Sequence, residues 1–309
     1  MIVVVYDMER EAPRTLFTLS PGYQNIAPSL YEVIVVENGS SQRLDQLAVR
    51  GTAENFQYVY KKPGDPSPVG ALNLGASMAR GQLVGFMIDG ARMLSPGVLN
   101  YAVRAARAYE HPVVITPGYH LGHEAQQVAV SGGYNQESED RLLDSVDWRS
   151  DGYELFRICS PALSVANGWL APFAESNCVF VTPKILESVG GFHSGFDAAG
   201  GGYANLDFYR EICEHPDTEL VVLLGEGTFH QFHGGAMTGK AMDDMRAVGL
   251  SLIAQYEKIR GRAFEAPAVH ADFMGHVPQS FVPTLGEAVG AYTRLLKKKG
   301  WHPTLSSLL

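Results

Sequence analysis

The chain has 309 residues, 46% of them hydrophobic and 18% charged, enough for a sizeable core in one large domain or two ordinary ones. Its net charge of −9 excludes a protein built to follow a phosphate backbone, which needs clustered Lys and Arg to displace counterions; a single diphosphate could still be held locally. The three cysteines, Cys159, Cys178 and Cys213, are too few and too scattered for a disulfide framework or a zinc site, and they read as buried thiols of a reducing compartment.

In chain order, residues 2–6, 31–36, 56–60, 83–88 and 112–116 are short β-branched runs that read as buried strands. Residues 11–19, 42–50, 69–80 and 96–109 fall between them as helices. That alternation predicts parallel strands joined by crossover helices, a sheet covered on both faces, and ligands at the carboxyl ends of the strands. From 118 to 175 the periodicity weakens and Gly, Asp, Tyr and Trp dominate, as in a functional insertion. Strands return at 178–181 and 220–224, with helices at 183–189 and 205–214. A long amphipathic helix carries Met242, Met245, Val248, Leu252, Tyr256 and Ile259 on one stripe, with Gly261 placed to cap it. A last helix has Thr284 and Glu287 at capping-box spacing and ends in Lys297, Lys298 and Lys299. No apolar run approaches the ~20 residues a bilayer requires, and the N-terminus runs straight into a strand; a cytoplasmic protein is expected, with membrane association at most peripheral.

Four stretches at strand ends carry the chemistry. They are Tyr6-Asp7; Glu37-Asn38-Gly39-Ser40; Asn73-Leu74-Gly75 with Asp89-Gly90-Ala91; and Gly190-Gly191-Phe192 followed by Asn205-Leu206-Asp207. In order and spacing they resemble the inverting family 2 glycosyltransferases. The resemblance implies a GT-A-like three-layer α/β/α fold with a mostly parallel central sheet, plus C-terminal helices. It implies a domain over 1–240, with a nucleotide-binding half (1–117) and an acceptor and catalytic half (118–240), and a helical extension over 241–309 packed on it. The implied activity moves a sugar from a nucleotide-diphosphate sugar to the hydroxyl of a saccharide or lipid-linked acceptor, with inversion. Tyr6, Glu37, Asn73 and Asp89 would bind the donor, and Asp207 would be the general base, with Asp197 and Glu175 in reserve.

The residues themselves point the same way. Glu37 and Asp89 are presented at adjacent strand ends, where Glu37 could accept the N–H of a nucleobase and Asp89 could bind ribose, sugar or a divalent metal such as Mn²⁺ or Mg²⁺. Ala91 stands where the family has its second aspartate, Leu72 replaces an arginine, and Asn205 occupies a position that is usually acidic. A metal would therefore have to draw on Asp89 with His230 and His233 of the stretch running from Thr228 to Gly235, while Arg92 is an alternative source of positive charge. His270, Asp272 and His276 form a weaker histidine-acid group without strand context. The aromatics Tyr119, Tyr134, Trp148, Tyr153 and Trp169 could form an acceptor platform or simply core. Two rival readings remain at this point: a non-catalytic nucleotide-sugar-binding module on the same fold, and a sugar nucleotidyltransferase, although residues 6–10 lack the basic Gly-rich loop the latter needs.

Overall fold

The computed structural model describes residues 1–165, 167–233 and 242–300. Among these residues twelve strands follow one another as β1 (Ile2–Val5), β2 (Val33–Glu37), β3 (Phe56–Tyr60), β4 (Val84–Met87), β5 (Arg92–Leu94), β6 (Pro112–Ile115), β7 (Gly118–Leu121), β8 (Cys159–Pro161), β9 (Cys178–Val181), β10 (Glu219–Leu224), β11 (Thr228–His230) and β12 (Ala271–Gly275). Eight of them form the main sheet in the order β12-β10-β6-β9-β4-β1-β2-β3. All its pairings are parallel except those of β9, which runs antiparallel to both β4 and β6.

The near-continuous apolar runs of β1 and β2 are explained by burial on both faces. Ile2, Val4, Ile34 and Val36 enter one core cluster, and Val3, Val5, Val33 and Val35 enter the other. Helices Val69–Met78 and Ala204–Cys213 pack on the first face, and helices Ala12–Thr18 and Val98–Ala108 on the second, giving three layers. Gly75 is fixed by this packing: a Cβ there would lie 2.5 Å from Ile2 Cγ2, so only glycine lets the helix approach β1 and β2 so closely. Strand order reverses between β1 and β4, which places the ligand crevice of an α/β sheet at the carboxyl ends of those two strands.

A second, four-stranded sheet in the order β5-β11-β7-β8 draws two of its strands, β7 and β8, from the region that reads as aperiodic. Its strands are three or four residues long, too short for a period-2 pattern to register. Three further boundaries differ from expectation. The helix expected from residue 42 begins at Gln46, because Asp45 caps it through the Leu47 N–H (2.8 Å). The last helix begins at Val282 with a proline in its first turn, so Thr284 lies inside it rather than at its cap. β12, within the C-terminal stretch expected to be helical, pairs in parallel with β10; the group of His270, Asp272 and His276 thus does have a strand context. The long helix Met242–Arg260 ends as expected at Gly261, which has a φ of +67° and donates its N–H to Glu257 O (2.7 Å). Gly234, Gly235 and the domain boundary drawn at residue 240 lie outside the described residues.

Among the described residues, no helix is long and apolar enough to cross a membrane. Cys159, Cys178 and Cys213 are free thiols, and burial pushes the Cys178 and Cys213 thiols up to about 12.

Candidate active site

The crevice is flanked by the residues that end β1 and β4. Tyr6 follows β1 and is exposed; two residues past β4, Asp89 turns back so that its Oδ1 accepts the Ala91 N–H (2.8 Å). The next residue, Gly90, donates to Val4 O across the strand pair (2.8 Å), which fixes the turn against β1. Asp89 Oδ2 is left to face two histidines, lying 3.0 Å from His230 Nε2 and 3.4 Å from His233 Nε2. The two imidazole nitrogens are themselves 3.1 Å apart.

These three side chains have ligand atoms within 4.8 Å of one another, the arrangement a single cation requires. The tautomer of His230 strengthens that reading. Gln126 donates its amide N–H to His230 O (3.0 Å), which turns the amide oxygen onto His230 Nδ1 (2.7 Å). Nδ1 must then carry the proton, so in the neutral ring the lone pair of Nε2 points at Asp89 and His233. The ring is neutral: burial, with the charge of Arg92 second, pulls its pKa down to about 4. A lone pair aimed at a carboxylate and a second imidazole calls for a cation or a proton between them, and the donor set fits a divalent metal. Burial disfavours the ionised form of Asp89, but His233 and His230 outweigh it and hold the carboxyl well below its usual range. For His233 burial opposes protonation, and the Asp89 carboxylate overcomes it and raises the ring's pKa.

Ala91 is buried and contributes only backbone, accepting the Gln231 N–H at its carbonyl (2.8 Å). Arg92 is no surface residue. It is buried in β5 with its Nε 4.0 Å from Asp89 Oδ2 and without a hydrogen-bond partner, and burial lowers its pKa. Leu72 sits in the core, where the family's arginine cannot be replaced in function by a methyl-ended chain.

Other expected site residues are placed differently. Glu37 is fully buried: its carboxylate accepts the Leu44 N–H (3.2 and 3.3 Å) and the Tyr58 hydroxyl, beneath the loop that precedes Gln46. It is not adjacent to Asp89, since β1 lies between β2 and β4. Asn73 is spent on the backbone of Phe192, donating to its carbonyl (2.8 Å) and accepting its N–H (3.0 Å). Asp207 is buried with both oxygens held by Arg260 of the long helix (2.6 and 2.7 Å). Asn205, two residues earlier in helix Ala204–Cys213, instead reaches Glu175 Oε2 with its Nδ2 (2.9 Å). The Gly200–Gly202 run is a packed turn with φ of 74, 82 and 53°, tied to the neighbouring loop by the Gly200 N–H on Pro66 O (3.1 Å). Tyr119, Trp148 and Trp169 belong to the core; Tyr134 and Tyr153 are half-buried.

Three residues at the site had no sequence signal. Gln126 lies in the aperiodic stretch. His120, in register with His230 on β7, has its ring 5.5 Å from that of His230 and is kept neutral above all by burial, with its pKa pulled to about 3. Glu139 is fully buried and accepts the Phe232 N–H, anchoring the backbone just before His233; Arg10 bridges it to Glu11 and Asp140. Only the long-range fold brings Glu139 to this place.

The fold and the strand-end acid with its histidines thus place the chain among GT-A-like α/β proteins. Residues 1–150 match the model of glycosyl transferase family 2, a stretch that holds the first three of the four motif groups. Among solved structures, TarS from S. aureus superposes with a TM-score of 0.50 at 14% identity, covering 75% of this chain and 36% of that one. The chain therefore spans about a third of that relative. TarS residues 1–349 in complex with UDP-GlcNAc gives a TM-score of 0.50 at 15% identity, covering 83% and 65% of the two chains. A mannosyltransferase from Pyrobaculum calidifontis in complex with GDP-Man and Mn2+ gives 0.51 at 16% identity, covering 99% and 76%. No curated protein sequence matches.

Proposed function

We propose that the protein is a metal-assisted glycosyltransferase that takes a nucleotide-diphosphate sugar in the β1–β4 crevice and transfers its sugar, with inversion, to an acceptor hydroxyl. The observation that carries this reading is the convergence of Asp89 Oδ2, His230 Nε2 and His233 Nε2 at the end of β4. The match of residues 1–150 to a glycosyl transferase family supports it, as do structural relatives whose complexes hold UDP-GlcNAc or GDP-Man with Mn2+.

A divalent cation held there would neutralise the diphosphate and stabilise it as a leaving group. The chain's own residues do the rest. Asp89 keeps its charge at all ordinary pH and fixes the histidine pair; Gln126 locks the His230 tautomer; Glu139 holds Phe232 and with it His233. Arg92, close to Asp89, adds a buried positive charge beside the crevice that would help to neutralise the diphosphate. Exposed Tyr6 offers a ring face to the nucleoside end of the donor, where the buried Glu37 serves the loop instead.

The test is release of nucleoside diphosphate from a panel of UDP- and GDP-sugars, with Mn²⁺ and then with excess EDTA. Release with Mn²⁺ that stops in EDTA is expected. Full release in EDTA rejects the metal and leaves Arg92 as the electrostatic device; no release from any sugar nucleotide, with binding intact, identifies a non-catalytic binding module.

A further inference from the structure

Resting on that transferase reading, we infer that Glu175 is the general base and that Asn205 is the residue that positions it. Asn205 lies in the first turn of helix Ala204–Cys213, and its side-chain N–H groups reach Glu175 Oε2 (2.9 Å) and Asn177 Oδ1 (3.4 Å). Among the described residues Glu175 makes no other hydrogen bond, so one carboxylate oxygen is tethered and the other, Oε1, keeps its lone pairs. The side chain is half-buried, neither sealed in like Asp207 nor loose in solvent.

Its place relative to the crevice follows from the strand pairing. Cys178 opens β9 opposite Met87, and Asn177 O accepts the Ile88 N–H (3.3 Å), so the segment carrying Glu175 runs beside the end of β4 that presents Asp89. Arg92 of β5 feels both Asp89 and Glu175, each of which favours its charged form. Arg92 therefore lies near enough to both carboxylates to feel the charge of each.

The chemistry explains why residue 205 is an amide. A second carboxylate at 205 would stand about hydrogen-bond distance from Glu175, and two acids that close cannot both ionise. An amide donor fixes the orientation of Glu175, and the buried, unpartnered Asn205 Oδ1 shows that the amide is oriented for that donation. In the step itself, Glu175 Oε1 takes the proton of the acceptor hydroxyl as that oxygen bonds to the anomeric carbon. The anomeric C–O bond to the diphosphate breaks, and its electron pair leaves with the nucleoside diphosphate. With water as acceptor the same step hydrolyses the donor, which permits an assay without a known acceptor.

The experiment compares wild type, Glu175→Gln, Asp207→Asn and Asn205→Asp. It follows UDP or GDP release from UDP-GlcNAc and GDP-mannose with Mn²⁺, donor affinity by calorimetry, and the rate against pH. Glu175→Gln is expected to lose about 10²–10⁴-fold in rate with donor affinity unchanged, the usual contribution of a general base. Asn205→Asp is expected to move the acid limb of the rate profile to higher pH, because the paired acids then share a proton; a merely structural asparagine would leave the limb in place. Near-normal turnover of Glu175→Gln, or a comparable loss confined to Asp207→Asn in a folded protein, overturns the assignment. If wild type binds neither donor, the transferase reading itself fails, and this inference with it.

Discussion

At the residue scale the site is a set of charges arranged around Asp89. Because its carboxyl is held well below the usual range, it is His233, raised by that same carboxylate, that titrates first as pH falls. A metal needs the free lone pair of His233, so protons compete with the cation below its raised pKa. Mn²⁺ affinity is therefore expected to weaken as pH drops through that range and to level off above it, which calorimetric titrations from pH 6 to 8 would show; affinity that is flat with pH would remove His233 from the ligand set. Glu139→Gln exchanges the buried acceptor of the Phe232 N–H for a weaker one, and it is expected to lower Mn²⁺ affinity with little change in the fold. Unchanged affinity would show that the His233 loop is held by other contacts. The strand-end position of Asp89 was legible in the sequence because the apolar run of β4 announces it, whereas the fold alone brings His230 and His233 to it. Glu37 ends a strand equally clearly, yet no local pattern shows that residues 41–44 fold over it and bury its charge. Nor does any local pattern show that Asp207 is paired, since its partner, Arg260, is 53 residues away on another helix.

At the element scale, the parallel sheet and its helices were readable from period alone, whereas the small sheet that carries His230 and Arg92 was not. Its three- and four-residue strands are defined by pairing, with His230 opposite Arg92 on one side and His120 on the other. β12 escaped because an edge strand with half-exposed residues lacks the apolar run of its neighbours. The long helix is fastened by Tyr256 in the core and by the Arg260 pair with Asp207. Removing one member of a buried pair strands the other charge, typically at ~3–5 kcal/mol, and the partial exposure of Arg260 sets the expectation for Arg260→Leu at the lower end of that range. Urea unfolding would measure it. A change under about 1 kcal/mol would mean that the pair is solvated like a surface bridge, and would free Asp207 for chemistry after all.

At the scale of the whole molecule, Glu226 joins the turn between β10 and β11 to the start of helix Val98–Ala108. Fully buried, it accepts from the Ser95 hydroxyl, the Tyr153 hydroxyl (2.8 Å) and the Gly97 N–H (3.0 Å). Burial lifts its pKa from 4.5 to about 7 even though each of those bonds favours the ionised form. The folded protein then binds this proton more tightly than the unfolded chain, so its contribution is complete below pH 4.5 and is lost as pH rises to 7, up to about 3 kcal/mol at 1.36 kcal/mol per unit. Comparing the melting temperature of wild type with that of Glu226→Gln across that window isolates the effect: the advantage of wild type is expected to shrink steadily toward pH 7. A constant difference would show that Glu226 is ionised throughout.

The central claim is that the crevice between β1 and β4 binds a nucleotide-sugar together with a metal held by Asp89, His230 and His233. The most direct measurement is thermal stability with and without GDP-mannose or UDP-GlcNAc, each with Mn²⁺, in wild type and in Asp89→Ala. At a ligand concentration of 100 times Kd, wild type should gain about 2.7 kcal/mol. That gain should require both the sugar nucleotide and Mn²⁺, and it should vanish in a folded Asp89→Ala. A shift of equal size in Asp89→Ala, or no shift in wild type with any sugar nucleotide, would contradict the account.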